Sequence, residues 1–167
     1  MTEHDGFEAW FASMVERYGD RLVGFAQTYT QNWDDAQDIA QEVFLRLLRT
    51  RRQRPEANIS SGWLYKVAHR LCIDWCRKRR RSASLALRSA ECPPMQAGLP
   101  DLSLQELLDQ LPACDRECLW LLYYEDLSIA EIGLLLDLTP EAVRMRLHRA
   151  RTHLRSLWKE GSHATVR

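Results

Sequence analysis

The side chains best suited to chemistry in this sequence are cations that crowd into short segments. Between Arg144 and Arg155 there are five arginines, two histidines and no acid. Between Trp63 and Arg81 there are seven Lys or Arg and a single acid, Asp74. Guanidinium groups donate parallel N–H pairs that match phosphate oxygens and the edge of guanine. Both segments therefore favour contact with nucleic acid.

A catalytic set is not indicated by the remaining reactive side chains. The chain has five histidines, none with a paired nucleophile, and it lacks a glycine-rich phosphate loop. Five cysteines and no export signal favour reduced thiols. Cys72 and Cys76 lie one helical turn apart, as do Cys114 and Cys118, but no second His/Cys pair completes a convincing zinc set. We expect no enzyme activity, no cofactor and no metal.

Length, composition and charge set the class of protein. The 167 residues are enough for one ordinary domain or two small ones, and 46% hydrophobic with 28% charged residues indicates a globular chain. No apolar run approaches the roughly 18 residues of a membrane span, and residues 1–5 do not resemble a signal peptide. We therefore expect a cytoplasmic protein without membrane insertion of its own. The balanced net charge hides segregation, because acids gather at residues 34–42 and 101–126 and predict an acidic surface.

Apolar residues recur at helical spacing almost throughout, so the predicted fold class is all-α. The predicted helices cover residues 7–30, 34–50, 61–81, 102–111, 115–124, 129–136 and 140–159. Periodicity fades after Ser82, where three prolines and a glycine precede Asp101. This pattern predicts two small helical domains, residues 1–82 and 102–167, joined by a flexible linker over residues 83–101.

The C-terminal helices have the pattern of a helix-turn-helix. Thr139 is placed to cap the last helix, and Pro140 takes its first position, where a missing N–H costs nothing. Val143, Leu147 and Ala150 fall on one face and predict the buried side. The outer face of such a helix enters the major groove. The candidate DNA-binding residues are Glu141, Arg144, Met145, His148, Arg149, Arg151 and Arg155.

The motif LSIAEIGLLLDLTPEAVRMRLHRARTHLR, residues 127–155, resembles the region of extracytoplasmic-function (ECF) sigma factors that reads the promoter −35 element. These factors direct bacterial RNA polymerase to promoters. Response regulators contain a similar helix-turn-helix, so the N-terminal half decides between the two classes. There DDAQDIAQEVFLRLLR, residues 34–49, resembles the sigma helix that docks on the polymerase clamp helices. The resemblance implies polymerase binding through Asp35, Asp38, Gln41, Glu42 and Leu45.

WLYKVAHRLCIDWCRKRRR, residues 63–81, resembles the sigma helix that melts and reads the −10 element. Melted DNA is held by cationic grooves and by pockets for unstacked bases. The residues that the resemblance implies for −10 DNA are Asn58, Ser60, Lys66, Val67, His69, Arg70, Arg77 and Arg80. Arg70 stands where Asn is usual and His69 where Arg is frequent. These two differences leave the fold unchanged, but they affect which base is expected to be held at this site.

The resemblance implies three partners: core RNA polymerase, promoter DNA and an anti-sigma factor. Two other classes compete with it. A DNA-binding regulator that does not replace sigma would use the C-terminal half alone and needs a receiver or ligand domain at the N-terminus. A sigma-sequestering interaction protein would not need two separate cationic surfaces.

Overall fold

The computed structural model describes residues 3–55, 57, 59–86 and 104–164 of the chain. These residues form seven helices and no β-strand. Their contacts divide the chain into two compact units, Met1–Trp75 and Cys76–Arg167. Within the described part, no helix is long and apolar enough to cross a membrane.

The N-terminal unit contains α1 (Glu3–Thr30), α2 (Trp33–Gln53) and the first part of α3 (Ser61–Ala86). Asn32 caps α2, because its side-chain oxygen accepts the Asp35 backbone N–H at 3.1 Å. The rings of Phe25 on α1 and Tyr65 on α3 meet edge to face, 5.4 Å apart. Further buried side chains complete this core: Leu22, Ala26, Ala36, Ala40, Val43, Leu47, Leu64, Ala68 and Cys72.

The C-terminal unit contains the rest of α3, α4 (Leu104–Asp109), α5 (Ala113–Tyr123), α6 (Ile129–Leu136) and α7 (Pro140–Ala164). Its core is built from α7, which packs against α4, α5 and α6. The buried apolar side chains include Leu107, Leu111, Cys118, Leu121, Ile132, Leu136, Val143, Leu147 and Ala150. α6 and α7 form the predicted helix-turn-helix, and α6 has the bounds that the sequence pattern predicts.

The turn of the helix-turn-helix is defined by local hydrogen bonds. Ser128 and Glu131 form a reciprocal capping box at the start of α6, which holds the pKa of the Glu131 carboxyl below its ordinary value. Asp137 ends α6 in the left-handed conformation, with φ 55°. Thr139 accepts the Ala142 N–H at 3.2 Å, which confirms the predicted cap of α7.

Gly133 is the position in this turn where a side chain does not fit. A Cβ atom there would lie 2.7 Å from the carbonyl oxygen of Leu138, and the Leu138 N–H donates to the Gly133 carbonyl at 2.8 Å. We expect Gly133→Ala to lower the free energy of unfolding by about 1–3 kcal/mol, because the turn backbone must shift. The measurement is urea unfolding followed by circular dichroism.

Gly19→Ala is the matched control for this substitution. Gly19 lies inside α1, and a methyl group added at that position would have no atom within 4 Å apart from its chain neighbours and the backbone of its own helix. Alanine there should raise the free energy of unfolding by up to about 1 kcal/mol, since glycine is the poorer helix former. Equal effects of the two substitutions would show that the turn tolerates a side chain.

The helix α3 corrects one prediction, because it runs to Ala86 and not to Arg81. Residues 83–86, which the loss of apolar periodicity assigned to the linker, are helical. Serine, alanine and leucine can all continue a helix, and no proline or glycine follows Arg81 before Pro93.

Candidate nucleic-acid and protein interfaces

The outer face of α7 presents the residues predicted to contact −35 DNA. All seven are exposed, from Glu141 in the first turn to Arg155 about four turns later. Val143, Leu147 and Ala150 lie on the opposite side and are almost completely buried. The predicted division of this helix into a buried face and an exposed cationic face is therefore confirmed.

Of the five arginines between residues 144 and 155 of α7, two bind acids of α5. Arg149 donates to the Asp115 carboxylate at 3.0 Å, and Arg146 donates to the Glu117 carboxylate at 3.4 Å. Both acids are buried. The acids between residues 101 and 126 were expected to contribute to an acidic surface, and for these two that expectation is wrong. They neutralise cations of α7 inside the C-terminal unit.

Tyr123 is a residue of this surface that the sequence reasoning missed. Its hydroxyl accepts two N–H groups of Arg151, at 2.8 and 3.2 Å, and the Arg151 guanidinium lies 5.7 Å from the ring centre. Arg144 in turn pairs with Glu141 at 3.3 Å on the exposed side of the helix. Three of the predicted DNA-contacting arginines are thus already oriented by a neighbour. Only the aromatic character of Tyr123 could have signalled its role.

The second predicted interface is the outer face of α2, composed of Asp35, Asp38, Gln41, Glu42 and Leu45. Leu45 is 45% exposed, whereas Val43 and Leu47 on either side of it are fully buried. Glu42 and Arg46 form a salt bridge of 3.0 Å, and Asp38 and Gln41 are exposed. The exposed leucine thus lies among acidic and amide side chains, and polymerase docking through this face stays a prediction.

The third predicted interface lies on α3 and the loop before it. Arg70, Arg77 and Arg80 are exposed, as is Ser60 at the start of the helix. Ser60 caps α3, because its hydroxyl accepts the Trp63 N–H at 3.4 Å. Asn58 lies outside the described residues.

Three other predicted −10 residues, Lys66, Val67 and His69, are half-buried. The His69 ring meets Tyr29 of α1 edge to face, with its Nδ1 atom 3.3 Å from the Tyr29 hydroxyl. The buried face of α3 includes Tyr65 and Cys72. Because α1 packs on that side through Phe25 and Tyr29, His69 lies at the edge of the helix contact.

Arg51 connects the loop before α3 to α2. Its guanidinium donates to the Ala57 carbonyl at 3.1 Å and lies 5.0 Å from the centre of the Trp10 ring. A cation held between an aromatic face and a carbonyl loses much of its freedom. Arg51 and Trp10 thus fix one point of the loop that precedes the −10 candidates. The sequence pattern gave no indication of this anchor, because its parts are far apart in the chain.

Four cysteines fall within the described residues, and they are free thiols. Cys72 and Cys118 are buried, and burial raises the pKa of the Cys118 thiol to about 12. Burial also raises the pKa of Cys76 and Cys114. No group of three or more His, Cys, Asp or Glu side chains in the described part could hold a metal ion.

We expect Cys118 to resist modification by an aromatic disulfide reagent at about pH 8 until the protein is unfolded, because a protonated, buried thiol is a poor nucleophile. Thiol titration with and without urea measures this. The purified, reduced protein is also expected to contain no stoichiometric zinc and to keep its helicity in the presence of a chelator. Zinc at one equivalent, with folding lost on chelation, would contradict the assignment of these cysteines as structural.

Comparison with known proteins gives a family-model match in each half of the chain. Residues 14–82 match the family model for Sigma-70 region 2, and residues 101–154 match the model for Sigma-70, region 4. The chain is 32% identical over 163 residues to the ECF RNA polymerase sigma factor SigE of Mycolicibacterium smegmatis, of whose length it spans 63%. It is 30% identical over 162 residues to the RNA polymerase sigma factor CarQ of Myxococcus xanthus, with 93% of each chain covered.

This chain belongs to the sigma-70 family, and within that family to the ECF group. Among the solved structures that match, two illustrate the shared fold. The sigma factor RpoE of Bartonella quintana, in complex with the anti-sigma factor NepR, has a TM-score of 0.71 at 22% identity and covers 89% of this chain and 96% of its own. CnrH, in complex with the cytosolic domain of CnrY, has a TM-score of 0.65 at 23% identity and covers 92% of this chain and 90% of its own.

Proposed function

We propose that this chain is a cytoplasmic, non-enzymatic initiation factor that binds core RNA polymerase, selects promoters by their −35 and −10 elements and assists promoter melting. The observation that carries the proposal is the combination, on one chain of this family, of two exposed cationic helix faces and an acidic helix face centred on the exposed Leu45. A DNA-binding regulator would need only one of the cationic faces.

Each proposed contact has a surface of matching chemistry. The outer face of α2 would bind the polymerase through Leu45 and the surrounding acids. The exposed cations of α3 would hold the melted strand, because single-stranded DNA binds to cationic grooves. The outer face of α7 would enter the major groove of the −35 element. In this proposal residues 1–82 belong to the polymerase and −10 domain, and residues 102–167 form the −35 domain.

An anti-sigma factor is a further proposed partner. The support is that RpoE of Bartonella quintana, which has the same fold, was solved in complex with one. The acidic face of α2 and the cationic face of α7 would both be available to a protein that competes with polymerase or with DNA.

Transcription in vitro tests the proposed function. Purified chain is added to core RNA polymerase on a library of promoters randomised at the −10 and −35 positions. We expect transcripts from a subset of promoters that share sequence at both elements, and none from core polymerase alone. The control reaction adds the chain to polymerase that already carries a different sigma factor. Transcription that requires that other sigma factor would support a DNA-binding regulator and overturn the proposal.

A further inference from the structure

Arg149 is the predicted DNA-contacting residue whose partner is a buried acid. Its terminal nitrogen Nη2 donates to the Asp115 carboxylate at 3.0 Å. The Asp115 side chain is 5% exposed, whereas the Arg149 side chain is 58% exposed. A guanidinium has five N–H groups, so one bond to Asp115 leaves others for a ligand outside the protein. The ion pair is thus anchored in the protein interior at one end and open to solvent at the other.

A second ion pair joins the same two helices, but its arginine is less exposed to solvent. Arg146 and Glu117 are also joined across α5 and α7, but the Arg146 side chain is 25% exposed and also donates to the Cys114 carbonyl. The Arg146–Glu117 pair therefore holds the two helices together. The Asp115–Arg149 pair instead lies in a shallow surface groove that His148, Thr152 and His153 also line.

We propose that Asp115 is a positioning residue that determines −35 specificity through Arg149, without contacting DNA itself. Building on the proposed function, this assigns to Asp115 two effects. It restricts the Arg149 guanidinium to one orientation, since charge-assisted hydrogen bonds are about twice as strong as neutral ones. It also cancels most of the Arg149 charge. Arg149 then acts as a directed donor to a base edge and contributes little general attraction to phosphates.

Asp115→Asn separates this role from a merely structural one. Asparagine has nearly the same volume and keeps an oxygen that can accept the hydrogen bond, but it leaves the Arg149 charge uncompensated. We expect weaker discrimination, by about tenfold, at one −35 position. We also expect the slope of log affinity against log salt to steepen by up to about one unit, because one more cation becomes available to phosphates. A residue that only stabilises the fold would weaken binding to all sequences and leave the preference unchanged.

The experiment uses the full chain with core RNA polymerase and double-stranded promoters randomised at the −35 element, over a series of salt concentrations. Asp115→Asn, Arg149→Ala and the double variant are compared with wild type. We expect Arg149→Ala and the double variant to show the same preference, because Asp115 acts only through Arg149. Glu117→Gln is the matched control, since it removes the charge of the other buried acid of α5. It is expected to keep the wild-type preference.

Arg149→Lys provides a second test if Asp115→Asn does not fold. Lysine keeps the cation beside Asp115 but lacks the planar fork of donors, so the preference at that position should fall while the salt slope stays. Wild-type preference in Asp115→Asn and in Arg149→Lys would overturn the inference and leave the proposed function standing. If the wild-type holoenzyme shows no −35 preference at all, the proposed function fails and the inference fails with it.

Discussion

Leu45→Glu is expected to weaken binding of the chain to core RNA polymerase by about 30-fold or more. Leu45 is a large apolar side chain exposed on the outer face of α2, and loss of an interface hot spot costs about 2 kcal/mol or more. A glutamate would place a charge against the apolar surface that receives the leucine. Affinity is measured by titrating labelled chain with core polymerase, and thermal unfolding is measured in parallel.

The folded state should be little changed by this substitution, since Leu45 is not part of the core. Val15→Glu is the matched control, because Val15 is an apolar residue of α1 that is 39% exposed and lies outside the proposed interface. Asp38→Arg is a second variant on the same face and should slow association, with a loss that diminishes at high salt. Unchanged polymerase affinity in both Leu45→Glu and Asp38→Arg would disprove the docking surface.

Arg144→Ala is expected to relax the preference at one −35 position at a cost of about 1–3 kcal/mol. Arg144 lies near the N-terminal end of α7, which is the end that reaches base edges in a helix-turn-helix, and Glu141 already orients it. His148 lies one turn further along the same exposed face, and His148→Ala should also change the preference. The measurement is promoter selection by each variant holoenzyme.

Arg151 and Arg155 lie further along α7, and we expect them to bind phosphates, unlike Arg144 and His148. Arg155→Ala should weaken binding to all promoters alike. It should also lower the slope of log affinity against log salt by about one unit, as loss of a phosphate contact does. Arg151→Ala should act in the same way, and Tyr123→Phe should reproduce part of its effect because the tyrosine hydroxyl holds the guanidinium. A uniform loss across every sequence for the Arg144 and His148 variants would mean that these residues supply only charge.

The helix-turn-helix could be predicted in detail because its signals are local. Ser128, Asp137 and Thr139 each act on backbone groups within a few residues, and each occupies the cap or turn position that its side chain favours. The apolar stripe of α7 could also be assigned from spacing, since Val143, Leu147 and Ala150 recur at the helical period.

The end of α3 and the orientation of its buried face could not be predicted in the same way. No cap or proline marks the end of the helix at Arg81, and residues 82–86 are compatible with helix or coil. Tyr65 and Cys72 are buried on the side where α1 packs, and Phe25, which contacts Tyr65, is distant from it in sequence. The spacing of apolar residues indicates that a helix has a buried side. Which residues at the edge of that side are buried depends on how the neighbouring helices pack.

The class of this protein follows from its amino-acid order: an all-helical chain with a helix-turn-helix, two cationic segments and an acidic helix with an exposed leucine. Which charges are paired depends on the packing of the helices. Asp115 and Glu117 belong to an acidic cluster in the sequence, yet they are buried against Arg149 and Arg146 of another helix. Caps and helical periods act over a few residues, whereas an ion pair between residues 34 apart depends on how two helices cross.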